Sequence, residues 1–333
     1  MKLPAFPAVL PSFFRDPRVR ALAALLLVLA LGAIFHQDGA FFRWSTHRDM
    51  LREISVYGIL SCGMTVVIIS GGIDLSVASL MALSAVSFAL FTLPLGLGAA
   101  ASIALCLAVG VAGGLLSGAL ISTFRIQPFI VTLAMMVFAR GLAKHLAAGK
   151  KVTNHLIDAS GASITLPHPP IYALIDTRLL GGNVALVTLV FLACVALTAV
   201  ILGKLRLGRH LHAVGDNPEA ARLCGVPVRR VLCAAYALSG FFAAVAGVCQ
   251  AAQETHGDPE TGMGYELDAI AMVVIGGTSL AGGRGGVLLT LIGALTIGYV
   301  RKILSINAFS TETRLMLTGA IIILAVLFQR NKA

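Results

Sequence analysis

Ten long runs of apolar residues, separated by short polar segments, make up most of this chain of 333 residues. The runs cover residues 20–36, 51–70, 77–93, 96–124, 127–147, 184–203, 230–251, 266–281, 286–304 and 312–328. Hydrophobic residues make up 58% of the chain and charged residues only 12%, which is more apolar than a soluble domain needs to build a core. The pattern predicts an all-α, polytopic integral membrane protein with about ten transmembrane helices.

The polar segments between the runs predict one transmembrane domain over residues 20–329, between a short N-terminal segment (1–19) and a C-terminal tail (330–333). Lys and Arg are concentrated in alternate segments, so the positive-inside rule predicts that both termini are cytoplasmic. Residues 204–229 are then the most basic cytoplasmic loop. The proline-containing segment 148–183 is the longest external loop.

A formal net charge of +10 raises the question of a nucleic-acid partner. The basic residues, however, are scattered among short loops between apolar runs and form no single basic face. The lipid bilayer and the topology explain them better, and we predict no nucleic-acid partner. The first run lacks a small-residue cleavage site, which indicates a membrane anchor and not a removed signal peptide.

Paired glycines interrupt two of the apolar runs. Non-helical backbone is tolerated in a membrane only where it is buried in protein or lines a water-filled cavity, so we predict broken helices near residues 71–76 and 276–283, around a translocation path. Glycines that let two helices pack closely are an alternative, and both interpretations can hold together. The candidates for the path and its gating are Gly71, Gly72, Asp74, Ser76, Gly276, Gly277, Thr278 and Ser279.

Asp74 is the one acidic residue between the apolar runs of the first half, and it has two interpretations. A carboxylate within a membrane is a candidate for proton coupling. Alternatively, Asp74 or Ser76 caps the following helix by accepting hydrogen bonds from its free N–H groups. We favour the capping interpretation.

The chain carries no motif of a catalytic or nucleotide-binding site. Neither a His-Glu-x-x-His sequence, a phosphate-binding Gly-x-x-x-x-Gly-Lys-Ser/Thr loop nor a Gly-x-Ser-x-Gly elbow is present, which argues against an intramembrane enzyme. The six cysteines have no metal-ligand spacing and are interpreted as reduced, small apolar residues. We therefore predict a protein that is not an enzyme and binds neither metal nor cofactor; an ATP-driven transporter would need its nucleotide site on another chain.

The stretch "GDNPEAARLCGVP" in the basic loop predicts a short helix that is capped at both ends. Asp216 or Asn217 can cap its N-terminus and Pro218 suits the first helical position, while Gly225 ends it. So short a helix is hardly stable alone in water, and this predicts that it docks onto something.

Three stretches resemble ABC sugar transporter permeases of the ribose/xylose/arabinose type: "GGIDLSVASLMALSA", "AVGDNPEAARLCGVPVRR" and "AIAMVVIGGTSLAGGRGGVLLTLIGAL". The resemblance implies a pore subunit in the bacterial inner membrane, usually paired with a second permease copy, identical or different. It also implies a cytoplasmic ABC ATPase that drives import and a periplasmic sugar-binding protein that delivers a monosaccharide or related polyol.

The same resemblance implies that the capped helix is the segment that couples the permease to the ATPase, with Ala220, Ala221 and Leu223 as its contact surface. The implied coupling residues are Gly215, Asp216, Asn217, Pro218, Glu219, Ala220, Ala221, Arg222, Leu223 and Gly225. Two positions depart from the family pattern, since Ala78 and Leu289 stand where glycine is common. The rival hypothesis is a self-sufficient, ion-coupled transporter that uses Asp74.

Overall fold

Twelve α-helices account for most of the residues that the structure describes. The structure is a computed structural model and describes residues 16–157, 163–310, 312–313, 316–317 and 319–320. The helices are α1 (Pro17–Ile34), α2 (Trp44–Ile69), α3 (Val77–Thr92), α4 (Ala99–Phe124), α5 (Pro128–Leu146), α6 (Pro170–Asp176), α7 (Leu186–Lys204), α8 (Arg206–Asp216), α9 (Pro218–Leu223), α10 (Val228–Glu254), α11 (Tyr265–Gly276) and α12 (Val287–Ile306).

The prediction of an all-α, polytopic membrane protein is confirmed. Within the described ranges, seven helices are long and apolar enough to cross a membrane, namely α1, α2, α4, α5, α7, α10 and α12. The predicted runs 77–93 and 266–281 correspond to the shorter helices α3 and α11. The last predicted run, 312–328, and the terminal segments before residue 16 and after residue 320 lie largely or wholly outside the described residues.

The two short helices explain how the predicted breaks are built. α3 has 16 residues and α11 has 12, so they rise about 24 Å and about 18 Å, whereas the hydrocarbon core is about 30 Å thick. Each short helix adjoins a glycine pair: α3 begins after the segment 70–76, and α11 ends at Gly276. The predicted interruptions near 71–76 and 276–283 are therefore confirmed.

α10 is the longest described helix, and it packs against α4 through a row of small residues. Gly110, Gly114 and Gly118 follow one another at four-residue spacing along one face of α4. A β-carbon at Gly110 would collide with the carbonyl oxygen of Gly240, and one at Gly114 with that of Tyr236. Glycine therefore lets the two backbones come into direct contact, as small residues do between membrane helices.

Residues 148–185, which include the predicted external loop 148–183, contain two short antiparallel strand pairs and a helix. β1 (His155–Ile157) pairs with β2 (Ser163–Thr165), and β3 (Arg178–Leu179) pairs with β4 (Val184–Ala185). Between them, α6 is attached to the bundle by Tyr172, whose hydroxyl lies 2.8 Å from the hydroxyl of Thr92.

Candidate coupling and translocation site

The polar segment 204–229 folds as two helices, α8 and α9, where the sequence predicted a loop with one short helix. Gly215 and Asp216, assigned from sequence to the short helix, are the last residues of α8. Asn217 is the cap of α9, because its Oδ1 accepts hydrogen bonds from the backbone N–H groups of Glu219 (3.0 Å) and Ala220 (2.9 Å). Pro218 occupies the first helical position, as predicted.

Ala221 is the residue that seats α9 on the rest of the chain. Only 5% of its surface is exposed, and it packs into an apolar cluster formed by Val66, Ile69, Leu211, Val214, Val231 and Ala235. The expectation that Ala221 belongs to a free contact surface is therefore wrong, because its small side chain faces inward. Ala220 and Leu223 remain on the outer side of α9, and Leu223 is 79% exposed.

The outer side of α9 also carries charge. The guanidinium of Arg222 donates a 2.5 Å hydrogen bond to Glu219, and this hydrogen bond, together with the positive charge, lowers the pKa of the Glu219 carboxyl below its usual range. Arg206, Arg209 and Arg229 are exposed around it. α9 thus presents an apolar tip with a charged rim, seated on the bundle by one buried alanine.

Behind α9, three segments that are distant in sequence meet at four glycines, which we call the glycine junction: Gly71, Gly215, Gly282 and Gly283. The backbone N–H of Gly283 donates to the carbonyl oxygen of Ile69 at 3.0 Å, which joins the loop after α11 to the end of α2. A β-carbon at Gly215 would collide with that same carbonyl oxygen, so the end of α8 lies directly against it. A β-carbon at Gly282 would stand 2.9 Å from Cα of Gly71 and 2.6 Å from the carbonyl oxygen of Gly215.

The junction therefore brings the first glycine break into contact with the loop that contains the second. Gly71, Gly282 and Gly283 have φ of +86°, +87° and +71°, a left-handed conformation that suits glycine. No side chain separates the three backbones at these contacts. The end of α8 thus contacts the end of α2 and the α11–α12 loop directly through backbone atoms.

Asp74 is fully buried in the segment between α2 and α3. Its Oδ1 accepts from the backbone N–H of Ser76 (2.9 Å) and from the Ser76 hydroxyl (2.6 Å), and its Oδ2 accepts from the Ser239 hydroxyl on α10 (2.7 Å). α3 begins one residue after Ser76. Neither side chain caps α3 through the free N–H groups of its first turn, since no side-chain capping bond is made there. The Asp74 carboxylate instead stabilises the turn just before the helix and ties this segment to α10.

Comparison with known proteins identifies the chain. Residues 48–326 match the family described as the permease component of the branched-chain amino acid transport system. The ribose import permease protein of Escherichia coli (strain K12) is 35% identical over 321 residues, 94% of each chain. The galactofuranose transporter permease protein of the same organism is 36% identical over 331 residues, 95% of this chain and 89% of the relative. The fructose import permease protein FrcC of Rhizobium meliloti is 34% identical over 308 residues, 92% of this chain and 83% of the relative.

The chain belongs to this permease family. The resemblance found in the sequence is confirmed, and the protein is the membrane-spanning permease of an ABC-type transport system, not an enzyme. No solved structure matches the chain significantly.

In this permease the second glycine pair is placed differently from the first. A β-carbon at Gly276 would collide with the carbonyl oxygen of Leu289, so Gly276 allows α11 and α12 to pack closely. Gly277 ends α11 with φ of +102° and lies against Pro17 of α1. Thr278 is fully buried, and the N–H of Ser279 donates to the carbonyl of Arg284 at 2.9 Å.

Sequence reasoning missed the two glycines of the junction that lie further along the same loop. Gly282 approaches Gly71 of the first break and Gly283 donates to Ile69 at the end of α2, whereas Gly276 and Gly277 lie against other residues. The signal was present in the run "AGGRGG". The sequence does not show that these glycines lie against Ile69 and Gly215, because this contact depends on the packing of the helices.

Proposed function

We propose that this permease forms the pore of an ABC importer for a monosaccharide, a pentose or hexose or a related polyol. The relatives that span nearly the whole chain carry ribose, galactofuranose and fructose in their names. The family description names branched-chain amino acids, but three sugar permeases at about equal identity favour a sugar. The proposed partners are a cytoplasmic ABC ATPase, a periplasmic sugar-binding protein and a second permease copy.

The proposed location is the bacterial inner membrane with both termini cytoplasmic. The exposed basic residues around α8 and α9 support this orientation, because positively charged loops remain on the cytoplasmic side. The end of the bundle that carries α9 then faces the ATPase, and the end that carries the β3–β4 hairpin faces outward. We treat residues 20–329 as one transmembrane domain.

The proposed coupling rests on the position of α9 and on the glycine junction behind it. α9 offers Leu223 as an apolar tip for a partner, and its inner side is fixed to α2, α8 and α10 through the cluster around Ala221. A short capped helix moves as a unit. A push on α9 therefore reaches Ile69 and the α11–α12 loop without being absorbed by a flexible segment, and these are the segments that we propose line and gate the path.

Leu223→Glu tests the coupling surface without disturbing the seat of α9. A charge in a closely packed contact has to be buried without a partner, so we expect association with the ATPase to weaken at least about tenfold. Leu180→Glu is the matched control, because Leu180 is also an exposed leucine (77%) but lies on the β3–β4 hairpin. The measurements are co-purification with the cognate ATPase and sugar-stimulated ATP hydrolysis in nanodiscs.

If Leu223→Glu retains wild-type association and ATP hydrolysis, α9 is not the coupling surface. The ion-coupled hypothesis is tested separately, by uptake of labelled sugar into proteoliposomes that contain the permease alone. Uptake driven by a proton or sodium gradient in the absence of ATPase would replace the ABC mechanism with the ion-coupled one.

A further inference from the structure

A polar cavity of about 430 Å³ opens between α2, α10, α11 and the β3–β4 hairpin. It is lined by Asp49, Arg52, Tyr57, Gln250, Gln253 and Tyr265, among others. Asp49 and Tyr57 are eight residues apart on α2, so the cavity extends about 12 Å along this helix. The glycine junction lies at the other end of α2, about 30 Å from Asp49 by helix rise.

Two tyrosines form one wall of this cavity. The rings of Tyr57 and Tyr265 have centroids 4.1 Å apart and are tilted by 32°. The guanidinium of Arg301 lies 4.4 Å from the centre of the Tyr57 ring, and its Nη2 is 3.5 Å from Asp268 Oδ2. These contacts hold Tyr57 in place. An aromatic wall of this kind suits the C–H bonds on one face of a sugar ring.

Both arginines that line the cavity, Arg52 and Arg178, are already engaged in ion pairs, while Glu53, which also lines it, makes no ion pair among the described residues. Asp49 accepts from Arg178 at 2.9 Å, and Arg52 is bound to Asp176. Because these charges neutralise one another, the cavity offers no free ionic partner at either pair. No free cation is therefore available for the carboxylate end of an amino acid, whereas a neutral ligand that is rich in hydroxyl groups needs none and can donate to the Glu53 carboxylate.

The amide side chains supply the remaining hydrogen-bonding groups. Gln250 donates its Nε2 to Glu254 at 2.7 Å. Nε2 of Gln253 and Nε of Arg52 have no acceptor among the residues that the structure describes. Buried donors without acceptors are costly, so a ligand oxygen that reached Nε2 of Gln253 would satisfy this group.

We propose that this cavity is a saccharide subsite of the permease, in which the sugar ring packs against Tyr265 and its hydroxyl groups bind Gln250, Gln253 and Asp49. This inference rests on the proposed function, since it places the subsite at the outward end of the path. The volume lies in the range of small-molecule sites and exceeds that of one monosaccharide, so bound water shares the space. The subsite receives the sugar before the helices around the junction open.

The test uses the full-length permease in lipid nanodiscs and saturation-transfer-difference NMR with D-ribose, D-fructose and D-galactose, each alone, and with L-leucine as the amino-acid probe. We expect saturable binding of at least one sugar and none of leucine. Gln253→Leu and Tyr265→Ala each remove a contact, and binding should weaken at least about fivefold in both. Gln127→Leu is the matched control, because Gln127 is exposed at the end of the bundle that carries α9.

Absence of saturable sugar binding to the wild type, equal binding by both variants or binding of leucine in place of sugars would overturn the subsite. Should Tyr265→Ala fail to give a monodisperse protein, Gln253→Leu decides alone. Sugar uptake by the assembled transporter is measured in parallel. One outcome separates the two proposals: the wild type binds sugar, Gln253→Leu does not, and the assembled transporter takes up no sugar. The proposed import function is then wrong and the subsite is supported. If wild-type uptake occurs without sugar binding to the permease, the subsite falls and the import function stands.

Discussion

Glycine has a different structural role in each of two regions of this permease. In the contact between α4 and α10, Gly110, Gly114 and Gly240 lie inside long helices and bring their backbones together over several turns. At the glycine junction, Gly71 and Gly282 lie in connecting segments with positive φ. The first region is a long contact between two helices, which we call the α4–α10 seam. The second is a single point where three segments touch.

The difference indicates which region can move. Separating α4 from α10 would break a continuous set of contacts along both helices, so this seam acts as a fixed frame. The junction is held by one backbone hydrogen bond from Gly283 to Ile69 and by close approach of a few atoms. The three segments can therefore move together, relative to the seam, at a much smaller cost. Substitutions in the seam should therefore affect folding, and substitutions in the junction should affect transport.

Gly114→Leu should have the largest effect. Its side chain would have to occupy the space of the Tyr236 carbonyl and Ala237 backbone on α10, and such overpacking costs about 3 kcal/mol or more of unfolding free energy. We expect most of the variant protein to be lost from the membrane. Gly141→Leu is the control, because nothing lies within 4 Å of a β-carbon at this helical glycine. Equal membrane abundance of both variants would show that the seam tolerates volume.

Gly215→Leu should leave the protein folded and stop transport. The side chain would push α8 away from the carbonyl of Ile69 and from Gly283, while the seam remains intact. Sugar uptake should fall at least about tenfold at normal abundance, since a small misplacement of a working element can cost this much or more. Gly203→Leu, near the end of α7 with open space around its β-carbon, should transport normally. Normal uptake by Gly215→Leu would contradict the role of the junction.

Asp74→Ala should have an intermediate effect. It leaves the Ser76 N–H and the Ser239 hydroxyl buried without their acceptor, at a cost of about 2 kcal/mol or more. Asp74→Asn keeps an oxygen for Ser76 and can donate its amide to Ser239, so its unfolding midpoint and uptake should stay close to wild type. Loss of uptake in Asp74→Asn at normal abundance would favour proton coupling over this structural role.

Gly71→Ala should have the smallest effect. A β-carbon there would stand 3.7 Å from Cα of Gly215, which is an ordinary contact. The cost comes from φ of +86°, at which an alanine is strained by about 1–2 kcal/mol. We expect a small drop in thermal stability and near-normal uptake. An effect as large as that of Gly215→Leu would mean that Gly71 is packed as tightly against Gly215 as Gly215 is against Ile69.

Much of the fold followed from local properties of the sequence. Apolar runs predicted the helices, paired glycines predicted the breaks near 71–76 and 276–283, and a capping residue followed by proline predicted a helix at Pro218. Each of these depends on residues within one turn or one span. The errors were local as well: α8 was not predicted, because the polar residues between Arg206 and Asp216 were interpreted as a loop.

The sequence by itself determined that this chain crosses a membrane many times, where its helices break and where a short capped helix stands. Only the tertiary structure decided that Ala221 faces inward while Leu223 faces out, that Gly215 meets Gly282, and that tyrosines from α2 and α11 share one cavity. The physical reason is that helix formation depends on near neighbours, whereas these contacts join segments about 70 to 200 residues apart. A pattern along the chain records which residues are small or apolar, and the packing of the helices decides which of them touch.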